Sequence, residues 1–282
     1  MPDDSPLECE PDGLYLPEIS LHSLEKITLH NRFARIFGTA MKRKWPQRAY
    51  VGLYSGAGRA KIKGTTRIVE TSALGVLRQP DPFTSYVYVD ANSECISALE
   101  ARIANTGLPV NASVICGDVN ASASRVKEAL PRYSPDNGLL SFCFIDPFDL
   151  QLRFDTIREL SSLRMDIMVL LMLGVDGRRN FLRYFQDESS SRIGELIACA
   201  DWRNEYQTHY ERNPVRFILR KFDEAMTSVG YQSAMDDVHT IKIHGMGVLQ
   251  YVLAFYSKST LGSKFWREAR AGITPQLGLE LE

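Results

Sequence analysis

Apolar positions along the chain first follow a helical spacing and then fall into short runs separated by turn-forming residues. From Leu24 to Met41 they lie on one face of a helix, which Trp45-Pro46 ends. The later runs are rich in Val, Ile, Leu and Tyr and predict β-strands. Five such runs cover residues 49–54, 86–89, 113–116, 139–145 and 167–173, and helical patterns begin near residues 93, 122 and 154.

Strands that alternate with helices in this way predict a parallel sheet covered on both faces. Near the C-terminus the pattern changes, because two β-prone runs, Val238 to His244 and Val248 to Tyr256, flank Gly245-Met-Gly247. This arrangement predicts an antiparallel hairpin. Five parallel βα units closed by a hairpin are the order of the class I methyltransferase sheet. The predicted fold class is therefore α/β and Rossmann-like, mostly parallel with a C-terminal antiparallel hairpin.

The same pattern divides the chain into four parts. Residues 1–20 contain six carboxylates and no Lys or Arg, and they predict a flexible acidic lead-in. Residues 21–173 and 237–270 form the predicted core, 174–236 is a helical insertion, and 271–282 is a tail. The clearest helix of the insertion begins at Asn213-Pro214 and ends at Gly230. The last two residues, Leu281-Glu282, have the form of a cloning scar.

Composition places the chain among ordinary soluble globular proteins. Hydrophobic residues make up 44% and charged residues 24% of the 282 residues, which excludes the disordered and collagenous classes. The longest nearly uncharged apolar run, Ile167 to Val175, is far shorter than the roughly 20 residues that cross a bilayer. The acidic N-terminus lacks the positive charge of a signal peptide, so the sequence predicts a cytoplasmic protein. The cysteines form no Cys-x-x-Cys pair and the histidines show no metal-ligand spacing, so no metal site is predicted.

The net charge of −1 hides one strongly basic stretch. Residues 41–67 carry eight basic side chains and no acid. Such a block either binds phosphates, as in a nucleic acid, or is a solvated face, and the sequence leaves both interpretations open. In the insertion, aromatic residues mixed with arginines leave a similar choice between nucleic-acid binding and a subdomain that packs its own core.

Ligands in open α/β sheets bind beyond the carboxyl ends of the strands, and the first predicted strand ends in a glycine loop. Its two glycines, Gly56 and Gly58, let the backbone approach a ligand and present N–H groups. Position 61 is Lys rather than the third Gly of a dinucleotide fingerprint, and no Gly-Lys-Ser/Thr of a P-loop follows. The loop therefore fits S-adenosylmethionine better than NAD or ATP. Its predicted cofactor-binding residues are Tyr54, Ser55, Gly56 and Gly58.

The next two predicted strands end in carboxylates. Asp90, followed by Ala91, can accept hydrogen bonds from both hydroxyls of a ribose, and the alternative is that Asp90 caps the following helix. The glycine loop upstream favours the ribose-binding role. Asp118 can hold an adenine amino group while Val119 packs on the ring, and the alternative is a turn residue. Asp90, Ala91, Asp118 and Val119 complete the predicted cofactor-binding set.

The fourth predicted strand ends in Asp146-Pro147-Phe148. Asp146 and the carbonyl of Pro147 can accept hydrogen bonds from a substrate amine and aim its lone pair at a methyl group. Phe148 can stack on a flat substrate or face a sulfonium as a cation–π partner. This is positioning chemistry, because the sulfonium already supplies the electrophile. The alternative is a strand followed by an ordinary proline turn.

Several motifs, in this order, resemble those of the three-Cys-motif partner proteins (TcmP). The resemblance rests on Tyr50-Val-Gly-Leu-Tyr-Ser-Gly-Ala-Gly58, where members typically read YVDLFAGPG, and on Phe144-Ile-Asp-Pro-Phe148, Asp201-Trp-Arg203 and Tyr251-Val-Leu-Ala-Phe-Tyr-Ser-Lys258. It covers roughly residues 20–270. It implies a class I methyltransferase-like fold, S-adenosylmethionine binding and a partner that has three clustered cysteines and resembles radical-SAM enzymes.

The chain departs from this family pattern at three positions. The Asp of the family's first strand is Gly52, its Pro in the loop is Ala57, and the usual Gly after Asp-Pro-Phe is Asp149. These departures bear on activity more than on fold.

Two functions from different classes follow. The first is an S-adenosylmethionine-dependent methyltransferase acting on an amine, a nucleic acid base in particular, with Asp146, Pro147 and Phe148 as catalytic residues. The second is a non-catalytic partner subunit that uses the same fold as a scaffold. A nucleotide-binding oxidoreductase is a weaker third interpretation, which the missing third glycine opposes.

Overall fold

The computed structural model describes residues 4–174, 181, 183–208, 213–242 and 249–271. In chain order the strands are β1 (Glu8–Cys9), β2 (Glu18–Ile19), β3 (Gln47–Leu53), β4 (Arg59–Ile62), β5 (Ile68–Glu70), β6 (Ser85–Asp90), β7 (Ala112–Cys116), β8 (Leu139–Ile145), β9 (Met165–Leu171), β10 (His239–Lys242) and β11 (Leu249–Tyr256). The helices are α1 (Ser23–Met41), α2 (Ser72–Gly75), α3 (Ser93–Ala104), α4 (Ala123–Ala129), α5 (Phe154–Leu160), α6 (Arg192–Ile197), α7 (Trp202–Thr208), α8 (Pro214–Ser228) and α9 (Thr260–Arg270). Within the described ranges, no helix combines the length and the hydropathy needed to cross a membrane.

A seven-stranded sheet forms the centre of the fold, in the order β10-β11-β9-β8-β3-β6-β7. The pairs β3–β6, β3–β8, β6–β7 and β8–β9 are parallel, while β11 runs antiparallel to both of its neighbours. This arrangement confirms the predicted α/β class with its C-terminal antiparallel hairpin. The five parallel strands begin and end within two residues of the predicted runs, and β8 matches its run at both ends. The Gly245-Met-Gly247 turn lies outside the described residues.

The register of the sheet brings the ends of β3, β6 and β8 to the same edge. Leu53 at the end of β3 lies opposite Val89 of β6 on one side and opposite Ile145 of β8 on the other. Because parallel strands in register end at the same edge, the three connections that follow them meet there. The glycine loop, Asp90 and Asp146 are therefore neighbours at one edge of the sheet.

Side chains alternate between the two faces of the sheet, as strand geometry requires. On β3, Val51 faces one hydrophobic cluster with the helices α4, α5 and α8. Tyr50 faces the other cluster, in which it packs with Phe33 and Phe37 of α1 and with Phe142 of β8. The sheet face covered by α1 is therefore rich in aromatic residues. It lies beneath the edge at which the glycine loop, Asp90 and Asp146 are neighbours.

The described part of the insertion is helical and packs its own aromatic core. Trp202 is buried, and its ring lies 5.6 Å from that of Phe181 and 5.8 Å from that of Phe185, measured between centroids. Arg203 donates hydrogen bonds to the backbone carbonyls of Tyr184, Phe185, Asp187 and Ser190. These contacts favour the interpretation in which the aromatic residues serve the subdomain's own core.

Residues 4–20, called here the N-terminal strap, pair with distant parts of the chain. In a second, four-stranded sheet of order β1-β5-β4-β2, β1 pairs antiparallel with β5 and β2 pairs parallel with β4. The acids of the strap form ion pairs with basic residues far along the chain, namely Asp4 with Arg35, Glu8 with Arg67, and Asp12 with Arg59 and Arg102. The sequence analysis did not predict these contacts, because low local hydrophobicity does not reveal charge pairs or two-residue strands made by distant segments.

Candidate functional site

The connection after β3 carries unusual backbone geometry. Tyr54, Gly56 and Gly58 have φ values of 59°, 64° and 80°, in the left-handed region that most side chains avoid. At Gly58 a Cβ atom would lie 2.9 Å from Leu74 and Leu99, so that position requires glycine for both φ and packing. At Gly56 a Cβ atom would meet nothing within 4 Å, so its backbone faces open space. A non-glycine residue held at positive φ is a form of local strain that concentrates at functional sites.

Asp90, at the end of β6, is bonded to this loop. Its Oδ2 accepts a hydrogen bond from the Gly56 N–H at 2.8 Å, and its Oδ1 accepts one from the Asn92 N–H at 2.9 Å. Asn92 is the N-cap of α3, with its side chain accepting from the N–H groups of Glu94 and Cys95. Asn92, and not Asp90, therefore caps the helix. A carboxylate oxygen accepts more than one hydrogen bond, so Asp90 keeps capacity for a ligand hydroxyl. Ala91 lies exposed between these two residues.

Asp118 follows β7 and is exposed. It is the N-cap of the 3₁₀ turn Val119–Ala121, and its side chain accepts a hydrogen bond from the Ala121 N–H at 3.1 Å. This is the turn role considered above as its alternative. Val119 is only 2% exposed and belongs to the hydrophobic core. A role of these two residues in holding adenine stays a prediction.

Asp146 follows β8 and is joined to α1 by an ion pair. Lys26 Nζ lies 2.8 Å from its Oδ1 and 2.7 Å from its Oδ2, and the Asp146 N–H donates to the Leu53 carbonyl at 3.2 Å. Pro147 is buried, whereas Phe148 is 72% exposed. Both oxygens of the predicted acceptor-orienting carboxylate therefore already receive a nitrogen donor from the chain itself.

A cavity of about 460 Å³ opens at this edge, between the sheet, α1 and the N-terminal strap. The predicted residues Tyr54, Ser55, Gly56, Asp146, Pro147 and Phe148 line it. Pro17 to Ser20 of the strap line it as well, together with Lys26 and Lys63. Gly58, Asp90, Ala91, Asp118 and Val119 are not among the described lining residues, although Asp90 reaches the cavity's edge through Gly56.

The hydrogen-bonding groups around the cavity can be compared with those that S-adenosylmethionine would need. Thr71 Oγ1 lies at the lining, is buried, and has no hydrogen-bond partner within the described part of the chain. A buried hydroxyl without a partner is costly, and a polar ligand in the cavity would satisfy it. The open space above Gly56 and the remaining capacity of Asp90 add to this fit. The residues present therefore fit a ligand that carries both polar and apolar parts.

Gly52, in β3, lies in a space too narrow for a larger side chain. A Cβ atom there would lie 3.1 Å from Tyr88 Cδ1 and 3.3 Å from Tyr50 Cε1, so the aromatic rings occupy the space of a larger side chain. Tyr50 is fixed in turn, because its hydroxyl lies 3.0 Å from Nε2 of the fully buried His30. Burial lowers the pKa of His30 to about 4, so the ring is neutral near pH 7.

Sequence reasoning missed Lys26, Thr71 and the whole strap as parts of this site. For Lys26 a signal was available, because it lies four residues before His30 and seven before Phe33, on the face of α1 that is buried. A charged residue in an apolar stripe indicates a buried partner or a site. Among the residues described, no group of three or more His, Cys, Asp and Glu side chains is arranged to hold a metal.

Half of the basic side chains at residues 41–67 form contacts within the fold. Arg59 and Arg67 pair with the strap acids Asp12 and Glu8, and Lys42 pairs with Asp81. The Arg48 side chain donates to the backbone carbonyls of Trp45 and Pro82. Half of the block is therefore neutralised or internally bonded, which weakens its support for a phosphate-binding surface.

No family model matches the sequence, and no curated protein matches it. Among solved structures, the chain is similar to the protein LPL1258 from Legionella pneumophila, assigned to DUF519, with 12% identity and a TM-score of 0.50 over 90% of this chain and 93% of that one. An O-methyltransferase from Bacillus cereus in complex with SAH has 14% identity, a TM-score of 0.46 and coverages of 82% and 81%. Cofactor-bound Rv0187 from MTB has 11% identity, a TM-score of 0.44 and coverages of 82% and 80%. The order of the seven strands, mostly parallel with a C-terminal antiparallel hairpin, is that of a class I methyltransferase-like fold.

Proposed function

We propose that the protein is an S-adenosylmethionine-dependent methyltransferase. The observation that carries the proposal is the meeting of three strand ends at one edge of the sheet. The loop Tyr54–Ala57 and Asp146 line the cavity there, and Asp90 is bonded to it through Gly56. In open α/β sheets this edge is where ligands bind. When bound, the cofactor supplies an electrophilic methyl group on a sulfonium. Gly56 and Gly58 let the backbone approach it, Asp90 holds the ribose, and Asp118 holds the adenine.

The acceptor in this proposal is an amine on a flat molecule, such as a nucleic acid base. Phe148, 72% exposed beside the cavity, offers an aromatic surface on which a flat acceptor stacks. Asp146 and the Pro147 carbonyl orient the amine. Since Lys26 bonds both oxygens of Asp146, the amine has to displace Lys26 from at least one of them. The TcmP resemblance implies a three-cysteine radical-SAM-like partner, and this partner is part of the proposal. The predicted cytoplasmic location is part of it as well.

Calorimetry with S-adenosylhomocysteine tests the cofactor site, with NAD as the control ligand. We expect micromolar binding of S-adenosylhomocysteine alone. Asp90→Asn should weaken it by about 10- to 100-fold, since hydrogen bonds to a charged group contribute about 1.5–3 kcal/mol. Glu94→Gln, an exposed change in the first turn of α3, is the matched control and should leave the affinity unchanged. Binding of NAD, or of neither ligand, contradicts the proposal.

A second candidate function is a non-catalytic, cofactor-binding partner subunit. The Lys26–Asp146 ion pair favours it, because the pair satisfies the carboxylate that the chemistry needs. Asp146→Asn separates the two functions once a methyl acceptor is identified. Loss of methyl transfer with unchanged S-adenosylhomocysteine binding supports the enzyme. A complex with the three-cysteine partner that forms equally well with Asp146→Asn, without methyl transfer by the unaltered chain, supports the scaffold.

A further inference from the structure

One guanidinium group joins the N-terminal strap to the glycine loop. Arg102, in the last turn of α3, has a side chain only 2% exposed. Its Nε and Nη2 donate to Oδ2 and Oδ1 of Asp12 at 2.7 and 2.8 Å. Its Nη1 donates to the Ala57 carbonyl at 2.6 Å. The bidentate contact fixes the plane of the guanidinium, and that plane directs the remaining nitrogen at the loop.

The strap contacts the same loop in a second, apolar way. Leu14 packs against a small cluster formed by Ala57, Cys95 and Ala98. The Leu14 N–H donates to Asp12 Oδ1 at 3.2 Å, so the two strap residues form one local structure. Ala57 is therefore held at its carbonyl by Arg102, the partner of Asp12, and at its side chain by Leu14.

Asp12 itself is held by donors from three parts of the chain. Besides Arg102 and the Leu14 N–H, Arg59 of β4 donates to Asp12 Oδ2 at 3.1 Å. The hydrogen bonds from Arg102, the largest cause, lower the pKa of Asp12 to about 2. The carboxylate is therefore ionised throughout the pH range in which proteins are normally assayed, and the connection does not depend on protonation.

The glycine loop needs such an external restraint because its local sequence supplies little. Tyr54, Gly56 and Gly58 all adopt positive φ, and glycine has the largest conformational freedom to lose on ordering. The chain then continues into the short strands β4 and β5, and the next helix, α2, has only four residues. On its other side the loop is fixed by Asp90 through the Gly56 N–H. Ala57, between the two glycines, is the point at which Arg102 acts.

We propose that Asp12 is a positioning residue for the candidate cofactor site: through Arg102 it fixes Ala57 and, with it, the glycine loop whose residues Gly56 and Ala57 line the cavity. This inference rests on the proposed function for the ligand's identity. The restraint on the loop is independent of any ligand. Asp12 touches no ligand itself, and its effect on binding passes entirely through the shape of the loop.

The strap provides a matched control for this proposal. Asp4 makes an equally good bidentate contact, from Arg35 Nε and Nη2 at 2.8 Å each, but to α1 rather than to the loop. Asp12→Asn and Asp4→Asn therefore remove the same charge from similar pairs on the same segment. Arg102→Lys is a second test, because a single ammonium cannot replace the fork that contacts Asp12 and Ala57 together.

Amide hydrogen exchange of the full chain without ligand is the first readout, followed by calorimetry with S-adenosylhomocysteine. In a peptide covering residues 54–60, we expect Asp12→Asn and Arg102→Lys to raise the exchange rate at least tenfold and Asp4→Asn to leave it unchanged. The same two variants should weaken S-adenosylhomocysteine binding by about tenfold, while Asp4→Asn binds as the unaltered protein does. Thermal unfolding of all three variants establishes that each is folded.

The outcomes separate this inference from the proposed function. Equal exchange in the 54–60 peptide for Asp12→Asn and Asp4→Asn overturns the positioning role, and so does unchanged S-adenosylhomocysteine affinity in Asp12→Asn. If the unaltered protein binds no S-adenosylhomocysteine while Asp12→Asn still accelerates exchange of the loop, the cofactor assignment fails and the restraint by Asp12 stands.

Discussion

Lys26 of α1 places its ammonium nitrogen 2.8 and 2.7 Å from the two carboxylate oxygens of Asp146, a residue 120 positions later in the chain. The side chains are 11% and 22% exposed, so both charges are largely removed from water. A pair in this setting stabilises the fold mainly because either partner alone leaves an uncompensated charge. The pair also connects the helix on one face of the sheet to the candidate acceptor site.

We expect Lys26→Met to lower the free energy of unfolding by about 2 kcal/mol, because Asp146 then loses its charged partner. Chemical denaturation measures the change. Lys42→Met is the matched control, since the Lys42–Asp81 pair is more exposed, and its loss should cost about 0.5 kcal/mol or less. The double variant Lys26→Met with Asp146→Asn should recover part of the loss. Equal losses for Lys26→Met and Lys42→Met contradict this account of the pair.

The two glycines of the loop should respond differently to alanine. Gly56→Ala places a Cβ in open space at positive φ and should cost about 1–2 kcal/mol. Gly58→Ala adds contacts at 2.9 Å with Leu74 and Leu99, so we expect a loss of about 3 kcal/mol or more. For ligand binding we expect the opposite: Gly56→Ala weakens the affinity more than Gly58→Ala does, because the backbone of Gly56 faces the cavity. Urea unfolding measures the loss of stability in both variants, and calorimetry measures the loss of affinity. A larger destabilisation by Gly56→Ala than by Gly58→Ala contradicts the role of packing at position 58.

Asp166, buried on β9, should make stability depend on pH. Burial raises its pKa to about 7, so the folded protein holds a proton that the unfolded chain releases near pH 4. The stability contributed by this group is complete below about pH 4, falls as the pH rises to about 7, and is constant above that. Asp166→Asn removes this loss. Relative to the unaltered protein, the variant should gain up to about 4 kcal/mol between pH 4 and pH 8. Thermal unfolding across this range measures the gain, with Asp155→Asn, a change of an exposed side chain on α5, as the control.

Phe148 should matter for the site and not for the fold. Because its side chain is 72% exposed, Phe148→Ala should change the free energy of unfolding by no more than about 0.5 kcal/mol. Phe144→Ala, four residues earlier at a position only 3% exposed, should cost about 3–5 kcal/mol. Urea denaturation compares the two variants directly. A large loss of stability in Phe148→Ala would mean that this ring packs against the body of the protein in solution.

If a nucleic acid is the substrate, salt dependence distinguishes the basic residues. Lys63 lines the cavity and is exposed, while the charge of Arg67 is already balanced by Glu8. Lys63→Ala should reduce the slope of log affinity against log salt for single-stranded RNA by about 0.7, the value for one phosphate contact. Arg67→Ala should leave the slope unchanged. Fluorescence anisotropy over a salt series measures both slopes, and equal effects of the two variants contradict the assignment.

The sequence predicted the parallel sheet well because its strands are long, apolar on both faces and bounded by strong turn signals. β8 is the clearest case, with Leu139 to Ile145 predicted and observed. The N-cap of α8 at Asn213 was equally local, because Asn followed by Pro specifies a helix start. Such elements are set by residues adjacent in sequence, which is the information that periodicity uses.

The parts that were missed depend on contacts between distant residues. The strap pairs through two-residue strands with segments far along the chain. Glu18 lies opposite Lys61, 43 positions later, and Cys9 lies opposite Ile68, 59 positions later. No local pattern encodes such pairs. Lys26 lies on a recognisable helix, but its partner Asp146 becomes known only when the sheet is assembled. The sequence therefore predicted the part of the candidate site at the strand ends. It did not predict the part formed by the strap, or the Lys26–Asp146 ion pair.

The strap also sets an order of events during synthesis. It precedes β4 and β5 in the chain, so β1 and β2 have no partners in this sheet until β4 and β5 have been made. Closing these pairs has to wait for contacts between distant residues, which is the slow class of step in folding. Pro17 to Ser20, which form one wall of the cavity, are thus translated before its other described lining residues but reach their place only after the later strands have formed. A nascent or partly folded chain has a sheet edge without a closed cavity, so ligand binding reports on completed folding.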